Sequence, residues 1–313
     1  MLSRRLLRIK VIKALYAHFY TGVELSVSRK NLRYSIDKAY DLYFQMLWLI
    51  VEVRRYAERR AELGRRKHLP TPEELNPNTK FIDNEAIRRI EESDVVIDYL
   101  KKHKLGWTGY PHLIKELYEV FTASSEYSRY MASPAVPTFA ADVEVVRAFY
   151  SLPAVEDNEL LDSVLEEQSI LWNDDLGFAL VMVVRTLERM RERQCDVPVL
   201  DEFKGPEDPR FADQLFARAA GDYAENLTYI ERFTVNWDVE RIAFMDNLVM
   251  TTAIAELVGF PEIPVKVTLD EYIEIAKYYS TPGSNLFING ILDNVIALLT
   301  SEGKIAKQGR GLV

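Results

Sequence analysis

Apolar residues recur at helical spacing along most of the chain. Long stretches are rich in Leu, Glu, Arg, Ala and Lys and contain no turn residues, which favours helix. The pattern predicts helices over residues 3–20, 29–65, 82–104, 111–130, 140–151, 156–170, 174–194, 209–233, 238–258, 268–279 and 284–301. With only 13 Gly and 13 Pro in 313 residues, the turn content is low for a β-rich protein. The predicted fold class is all-α.

Three proline-rich interruptions divide these helical stretches, at residues 69–78, 132–137 and 197–209. No repeat with a period of 20–50 residues is visible. The last residues, from Gly303 to Gly311, have the composition of a short basic flexible tail.

The first helix is apolar on two faces. One face carries Leu7, Val11, Ala14, Leu15 and His18, and the other carries Ile9, Ile12, Tyr16 and Phe19. A helix of this kind is buried on two sides. Its first turns contain Arg4, Arg5 and Arg8, so we expect these arginines to emerge at a surface.

Two predicted helices lie near the C-terminus. The residues from Thr268 to Glu271 have the pattern of a capping box that begins the first of them. That helix should end at residues 280–283, where Pro282 disfavours its continuation, and Ser284 can cap the next one. Gly290 lowers helix propensity by about 1 kcal/mol relative to Ala, so we expect it to permit the close approach of another backbone.

The net charge of −9 is spread unevenly. Residues 1–67 contain sixteen Lys and Arg against six acids, a net charge of +10, which leaves −19 for the remainder. A basic end on an acidic body suggests a local site for a polyanion. The basic runs within residues 54–67 are also typical of a solvated helix face.

The sequence offers no catalytic or cofactor chemistry. It has no glycine-rich phosphate loop, and its four histidines and Cys195 lack metal-site spacing. The longest apolar runs, residues 46–51 and 178–184, are far shorter than the roughly 20 residues of a membrane span. Basic residues also interrupt any signal-peptide core at the N-terminus. We therefore expect a cytoplasmic protein that is not an enzyme and has no cofactor, no metal and no membrane association.

Two distant blocks carry a family resemblance. The N-terminal block contains Arg4-Arg5, Arg8 and Ala14-Leu15-Tyr16. The C-terminal block contains, in order, Trp237, Arg241, Asp246, Glu256-Leu257, the stretch from Ile263 to Glu271, Glu274, Ala276-Lys277, and the stretch from Phe287 to Asp293. In residue type, order and spacing these blocks resemble the NusB family of bacterial transcription antitermination factors.

The resemblance implies a NusB-like helical bundle of two subdomains, enlarged by a helical insertion. Residues 1–20 would form the RNA-binding helix, and residues 209–301 the C-terminal subdomain. Residues 21–208 would be mostly insertion, with the remainder of the N-terminal subdomain, and residues 302–313 a flexible basic tail. The family performs no chemistry. It binds the boxA element of nascent RNA together with NusE, a small-subunit ribosomal protein, and helps RNA polymerase read through terminators in ribosomal RNA operons.

Matching positions give an expected site. The candidate RNA-binding residues are Arg4, Arg5, Arg8, Tyr16, Tyr279, Ser284, Phe287 and Asn289. The candidate NusE-binding residues are Arg241 and Asp246. Arginines hold phosphates, aromatic rings stack on bases and amides contact base edges. Core packing is an equally good interpretation of Tyr16 and Phe287, and a structural hydrogen bond is an equally good one for Asn289.

The sequence departs from the family pattern at three positions. Gly283 stands where the family often has an acid, Leu286 where it often has a basic residue, and Thr251 where an Arg is common. These departures motivate an alternative, a NusB-like scaffold that binds NusE but has lost RNA binding. A third hypothesis is an RNA methyltransferase with a NusB-like domain. It requires a nucleotide-binding α/β domain, which the helical pattern of residues 21–208 does not favour.

Overall fold

A computed structural model describes residues 1–234 and 242–307, and within these ranges it contains helices and no strand. The all-α prediction is confirmed. The chain divides into two compact units. We call Met1–Leu2 with Asp37–Glu202 the middle unit, and Ser3–Ile36 with Phe203–Val313 the terminal unit.

The helices follow one another closely along the chain. They are α1 (Arg4–Thr21), α2 (Leu25–Arg65), α3 (Pro72–Leu75), α4 (Glu85–Glu92), α5 (Asp94–His103), α6 (Pro111–Thr122), α7 (Ser125–Ala132), α8 (Phe139–Tyr150), α9 (Pro153–Glu156), α10 (Glu159–Gln168), a 3₁₀ turn (Ile170–Trp172), α11 (Leu176–Arg189), α12 (Glu207–Gly221), α13 (Tyr223–Glu231), α14 (Phe244–Gly259), α15 (Val265–Tyr279) and α16 (Ser284–Ser301).

The terminal unit is built around α14. This helix contacts α1, α12, α13, α15 and α16, and the residues from Leu248 to Leu257 are all buried. A helix that is apolar around its whole circumference has to be covered on every side, which explains its central place.

Helix α1 is held at both ends and buried along two faces. The Ser3 hydroxyl accepts a hydrogen bond from the Leu6 amide at 3.2 Å, and Gly22 closes the helix in the left-handed region at φ 64°. Its apolar residues pack on α12 and α14. The predicted two-sided burial is confirmed for Leu7, Val11 and Leu15 on one face and for Ile9 and Ile12 on the other.

The middle unit has the central part of α2 as its core. The buried Tyr43, Leu47 and Ile50 lie there, and helix α8 contacts α4, α7, α9 and α11. Side chains also bond to the α2 backbone, since the Tyr150 hydroxyl donates to the Met46 carbonyl at 2.7 Å and the Trp107 indole donates to the Gln45 carbonyl at 2.9 Å.

Several predicted helices are shorter than the periodicity suggests. The stretches 82–104, 111–130 and 209–233 each divide into two helices. Between α6 and α7, the Ser124 hydroxyl accepts from the Tyr127 amide at 3.2 Å and starts a new helix. An apolar stripe continues across such a break, so periodicity alone does not reveal it. Of the predicted helix 238–258, residues 238–241 lie outside the described residues.

Candidate nucleic-acid interface

Each arginine at the start of α1 meets a carboxylate of the terminal unit. The Arg4 Nε lies 2.9 Å from Asp208, and Arg5 binds both oxygens of Glu271 at 2.8 and 3.0 Å. Arg8 binds both oxygens of Glu256 at 2.8 Å. The guanidinium carbons of Arg4 and Arg8 also lie 5.2 and 5.3 Å from the centre of the Phe211 ring. These ion pairs therefore fix the start of α1 against α12, α14 and α15.

The pair of Arg8 and Glu256 is buried, with side-chain exposures of 3% and 0%. The Glu256 carboxylate also accepts from the Thr268 hydroxyl at 2.9 Å and from the Tyr272 hydroxyl at 3.1 Å. Burial raises the pKa of Tyr272 well above its usual range, and the charge of Glu256 adds to this. In this arrangement Arg8 holds α1 against α14 and α15 and has no surface to offer a phosphate.

The start of α15 differs from the predicted capping box. The helix begins at Val265 after Pro264, and no side chain caps it. Thr268 lies inside the helix and is buried, and its hydroxyl donates to Glu256 rather than capping. Thr268 does not cap α15 because the buried Glu256 carboxylate on α14 requires the Thr268 hydroxyl as a hydrogen-bond donor.

Arg4 and Arg5 are the accessible arginines of the three, with 36% and 44% of their side chains exposed. The hydrogen bonds that Arg5 donates to Glu271 raise the pKa of Arg5, so it stays charged. A phosphate that approaches Arg5 has to share the guanidinium with Glu271 or displace that carboxylate. The expectation that the three arginines emerge at a surface agrees with Arg4 and Arg5 and is wrong for Arg8, which is buried in its pair with Glu256.

Asp246 secures the turn between α15 and α16. It is 5% exposed and accepts hydrogen bonds from the Ser280 and Ser284 hydroxyls, the latter at 2.9 Å. The predicted cap at Ser284 is wrong, because Gly283 at φ 89° precedes the helix and Ser284 turns its hydroxyl towards Asp246. Of the two expected partner-binding residues, Asp246 is thus buried here, whereas Arg241 and the nearby Trp237 lie outside the described residues.

The expected stacking residues are exposed to different degrees. Tyr16 is 39% exposed and lies 5.5 Å from Phe244, measured between ring centres, at the start of α14. Tyr279 is half-buried, and the Lys13 ammonium lies 5.3 Å from its ring centre. Phe287 is also half-buried. The structure therefore joins Tyr279 to α1, while Tyr16 packs at the start of α14.

Asn289 and Gly290 lie further along α16. The half-buried Asn289 amide donates to Asp293 at 3.4 Å, within its own helix. The expected backbone approach at Gly290 is wrong, since a Cβ atom there would meet no atom within 4 Å. The glycine faces open space on α16.

Sequence reasoning missed two groups at this site. The first is the set of carboxylates Asp208, Glu271 and Glu256, which bind the α1 arginines from positions more than 200 residues away in sequence. The second is Tyr278, which is 77% exposed beside the expected Tyr279. The helical spacing of Glu271, Glu274 and Tyr278 was the available signal for the second group, because it places all three on one face of α15.

Comparison with known proteins identifies the class. The model of the NusB family matches residues 177–297. A transcription antitermination protein NusB from Salinibacter ruber is 42% identical over 114 residues, which cover 36% of this chain and 70% of that protein. A second from Chloroherpeton thalassium is 45% identical over 28% of this chain and 41% of its own length. A third from Koribacter versatilis is 40% identical over 30% of this chain and 64% of its own length.

These matches, together with the all-α fold, define the class as helical proteins related to transcription antitermination factors. The chain belongs to the NusB family, and the predicted resemblance is confirmed. No solved structure gives a significant match. Among the residues that the structure describes, no helix has the length and apolar character needed to cross a membrane.

Proposed function

We propose that this protein is a transcription antitermination factor that binds boxA-like single-stranded RNA together with NusE, and so helps RNA polymerase read through ribosomal RNA operons. The observation that carries the proposal is the pair of partly exposed arginines, Arg4 and Arg5, at the start of α1 in a chain of the NusB family. The role requires no cofactor and belongs to the cytoplasm, where transcription takes place in bacteria.

Each candidate residue has a proposed role that its position supports. Arg4 and Arg5 bind phosphates, and Arg8 positions them by fixing α1 to Glu256. Tyr16, Tyr279 and Phe287 offer ring faces to bases, and Asn289 offers an amide. Ser284 acts through the turn, because its hydroxyl is bound to Asp246.

NusE is the proposed protein partner, and the start of α14 is its proposed contact. Arg241 precedes this helix and Asp246 lies in its first turn. Asp246 is buried against the turn between α15 and α16, so its contribution to NusE binding is to fix the shape of this region. The complex with NusE and RNA then joins the antitermination complex on RNA polymerase.

Arg5→Ala tests the RNA site. Removing one phosphate contact should weaken binding to all sequences and lower the slope of log K against log salt by about one. The measurement is RNA binding of the full chain with NusE at several salt concentrations. Arg33→Ala is the matched control, because Arg33 is also an exposed arginine paired with a carboxylate of the terminal unit. An unchanged slope for Arg5→Ala would remove Arg5 from the site.

A NusB-like scaffold that binds NusE but not RNA is the second candidate. It is favoured by the ion pairs of Arg4, Arg5 and Arg8, and by the uncharged Gly283 and Leu286 at the turn. The same assay separates the two functions. The scaffold predicts that NusE binds normally while RNA affinity stays weak with NusE present or absent.

A further inference from the structure

Tyr278 presents a large aromatic ring to solvent at the end of α15. Its exposure is 77%, whereas the next residue, Tyr279, is half-buried and lies beneath Lys13. A single exposed aromatic residue is common on protein surfaces. The position of Tyr278 relative to charged groups is what distinguishes it.

Tyr278 lies on the helix face that holds Arg5. Residues three and four apart on a helix are neighbours, so Glu271, Glu274 and Tyr278 form one row on α15. Arg5 binds Glu271 in this row, and Glu274 pairs with Lys277 at 2.7 Å. The rise from Glu271 to Tyr278 is about 10 Å along the axis, a distance that neighbouring nucleotides of one strand can bridge.

The other side of the turn adds a second exposed apolar group. Leu286, in the first turn of α16, is 76% exposed. The turn itself is fixed by Asp246 through Ser280 and Ser284. An exposed ring on a fixed helix end, on the same helix face as the carboxylate that binds Arg5, can stack on a base while Arg5 holds a phosphate.

We propose that Tyr278 is a base-stacking residue for single-stranded RNA whose phosphate lies at Arg5. The inference rests on the proposed function and adds a residue to it. Stacking uses the ring and not the hydroxyl, so Phe should replace Tyr at this position. Stacking is also uncharged, and it therefore supplies affinity without changing the salt dependence.

The test compares Tyr278→Ala, Tyr278→Phe and the control Tyr34→Ala in the full chain with NusE and a boxA-like oligonucleotide. Tyr34 is another exposed tyrosine of the terminal unit, at 56%. We expect Tyr278→Ala to lower affinity about tenfold with an unchanged salt slope, and Tyr278→Phe and Tyr34→Ala to stay near wild type. The urea midpoint of each variant should equal that of wild type.

Other outcomes overturn the inference. Wild-type affinity in Tyr278→Ala, a changed salt slope, or a loss in Tyr278→Phe equal to that in Tyr278→Ala would each remove the stacking role. If Arg5→Ala weakens binding while Tyr278→Ala does not, the proposed function stands without Tyr278. If the wild type binds no RNA with NusE present, both proposals fail.

Discussion

At the scale of single residues, the buried Glu256 carboxylate organises the candidate site. Arg8, Thr268 and Tyr272 each donate to it, from α1 and from α15. A buried charge is tolerated only when it is paired and fully hydrogen-bonded. Arg8 is thus a structural requirement of the fold, and in the proposed function it acts only through the position of α1.

Arg8→Met should lower the free energy of unfolding by about 3–5 kcal/mol, because it leaves Glu256 buried without a cation. Urea unfolding followed by circular dichroism measures this. Arg5→Met is the matched control, since it also breaks a two-oxygen ion pair of α1 but at an exposed position, and it should cost about 1 kcal/mol or less. Equal losses in the two variants would contradict the structural role of Arg8.

Glu202 of the middle unit is a half-buried acid. Burial raises its pKa from 4.5 to about 7, and the neighbouring charges of Asp37 and Asp41 add to this. Its Oε1 atom has no hydrogen-bond partner. Because its pKa is raised in the folded state, protonated Glu202 contributes to the free energy of unfolding. This contribution is complete below about pH 4.5 and is lost as the pH rises through 7.

Glu202→Gln should therefore stabilise the protein at pH 8, by about 1–3 kcal/mol, and the gain should shrink towards zero at pH 5. Urea unfolding at the two pH values measures it. Glu192→Gln, at an exposed position, should change stability little at either pH. A gain for Glu202→Gln that is the same at pH 5 and pH 8 would contradict the ionisation of the half-buried Glu202.

At the scale of elements, the turn between α15 and α16 determines the shape of the candidate site. Asp246, in the first turn of α14, binds both serines of this turn. One carboxylate thereby fixes the end of α15, where Tyr278 and Tyr279 lie, and the start of α16, where Leu286 and Phe287 lie.

Asp246→Ala should cost about 1–3 kcal/mol of stability, because two hydroxyls lose their buried acceptor. It should also speed hydrogen exchange of the amides of residues 280–287. Asp293→Ala, at an exposed position on α16, is the control and should stay within about 0.5 kcal/mol of wild type. Unchanged exchange in the turn would show that Asp246 does not hold it.

Sequence periodicity predicts the burial of α1 but not the side-chain contacts at the starts of α15 and α16. The two-sided burial of α1 follows from its apolar pattern, which depends only on neighbours along the chain. The start of α15 does not follow from the local pattern, because the Thr268 hydroxyl donates a hydrogen bond to Glu256 on another helix. The local pattern likewise predicts a cap at Ser284, whose hydrogen-bond partner Asp246 lies 38 residues away in the sequence. Local patterns predict the helices and also the caps of helices such as α1, whereas at α15 and α16 contacts with another helix engage the side chains that could have capped them.

At the scale of the whole molecule, the excess of positive charge in residues 1–67 does not become an equally large basic surface. Arg29 pairs with Asp213 in the terminal unit, and Arg54 and Arg55 pair with Glu91 in the middle unit. A count of charges along the sequence cannot show which of them are neutralised in the fold. The part of this excess that the proposed function uses is Arg4 and Arg5, which keep over a third of their side chains exposed.

The family relationship covers part of the molecule. The family model matches residues 177–297, and the relatives align with 28–36% of the chain. Most of the middle unit therefore lies outside the residues that the family model matches, and its role does not follow from that match. The proposed site lies in the terminal unit, and its arginines Arg4 and Arg5 precede the residues that the family model matches.

The proposed function requires that the protein and NusE together recognise boxA-like RNA. Its most direct test is the binding of the full chain to the ribosomal RNA leader of its own organism and to a scrambled version, with and without NusE. The proposed function predicts tight binding to the natural leader that requires NusE and is lost on scrambling. Equal affinity for both RNAs, or no binding to either with NusE present, would contradict it.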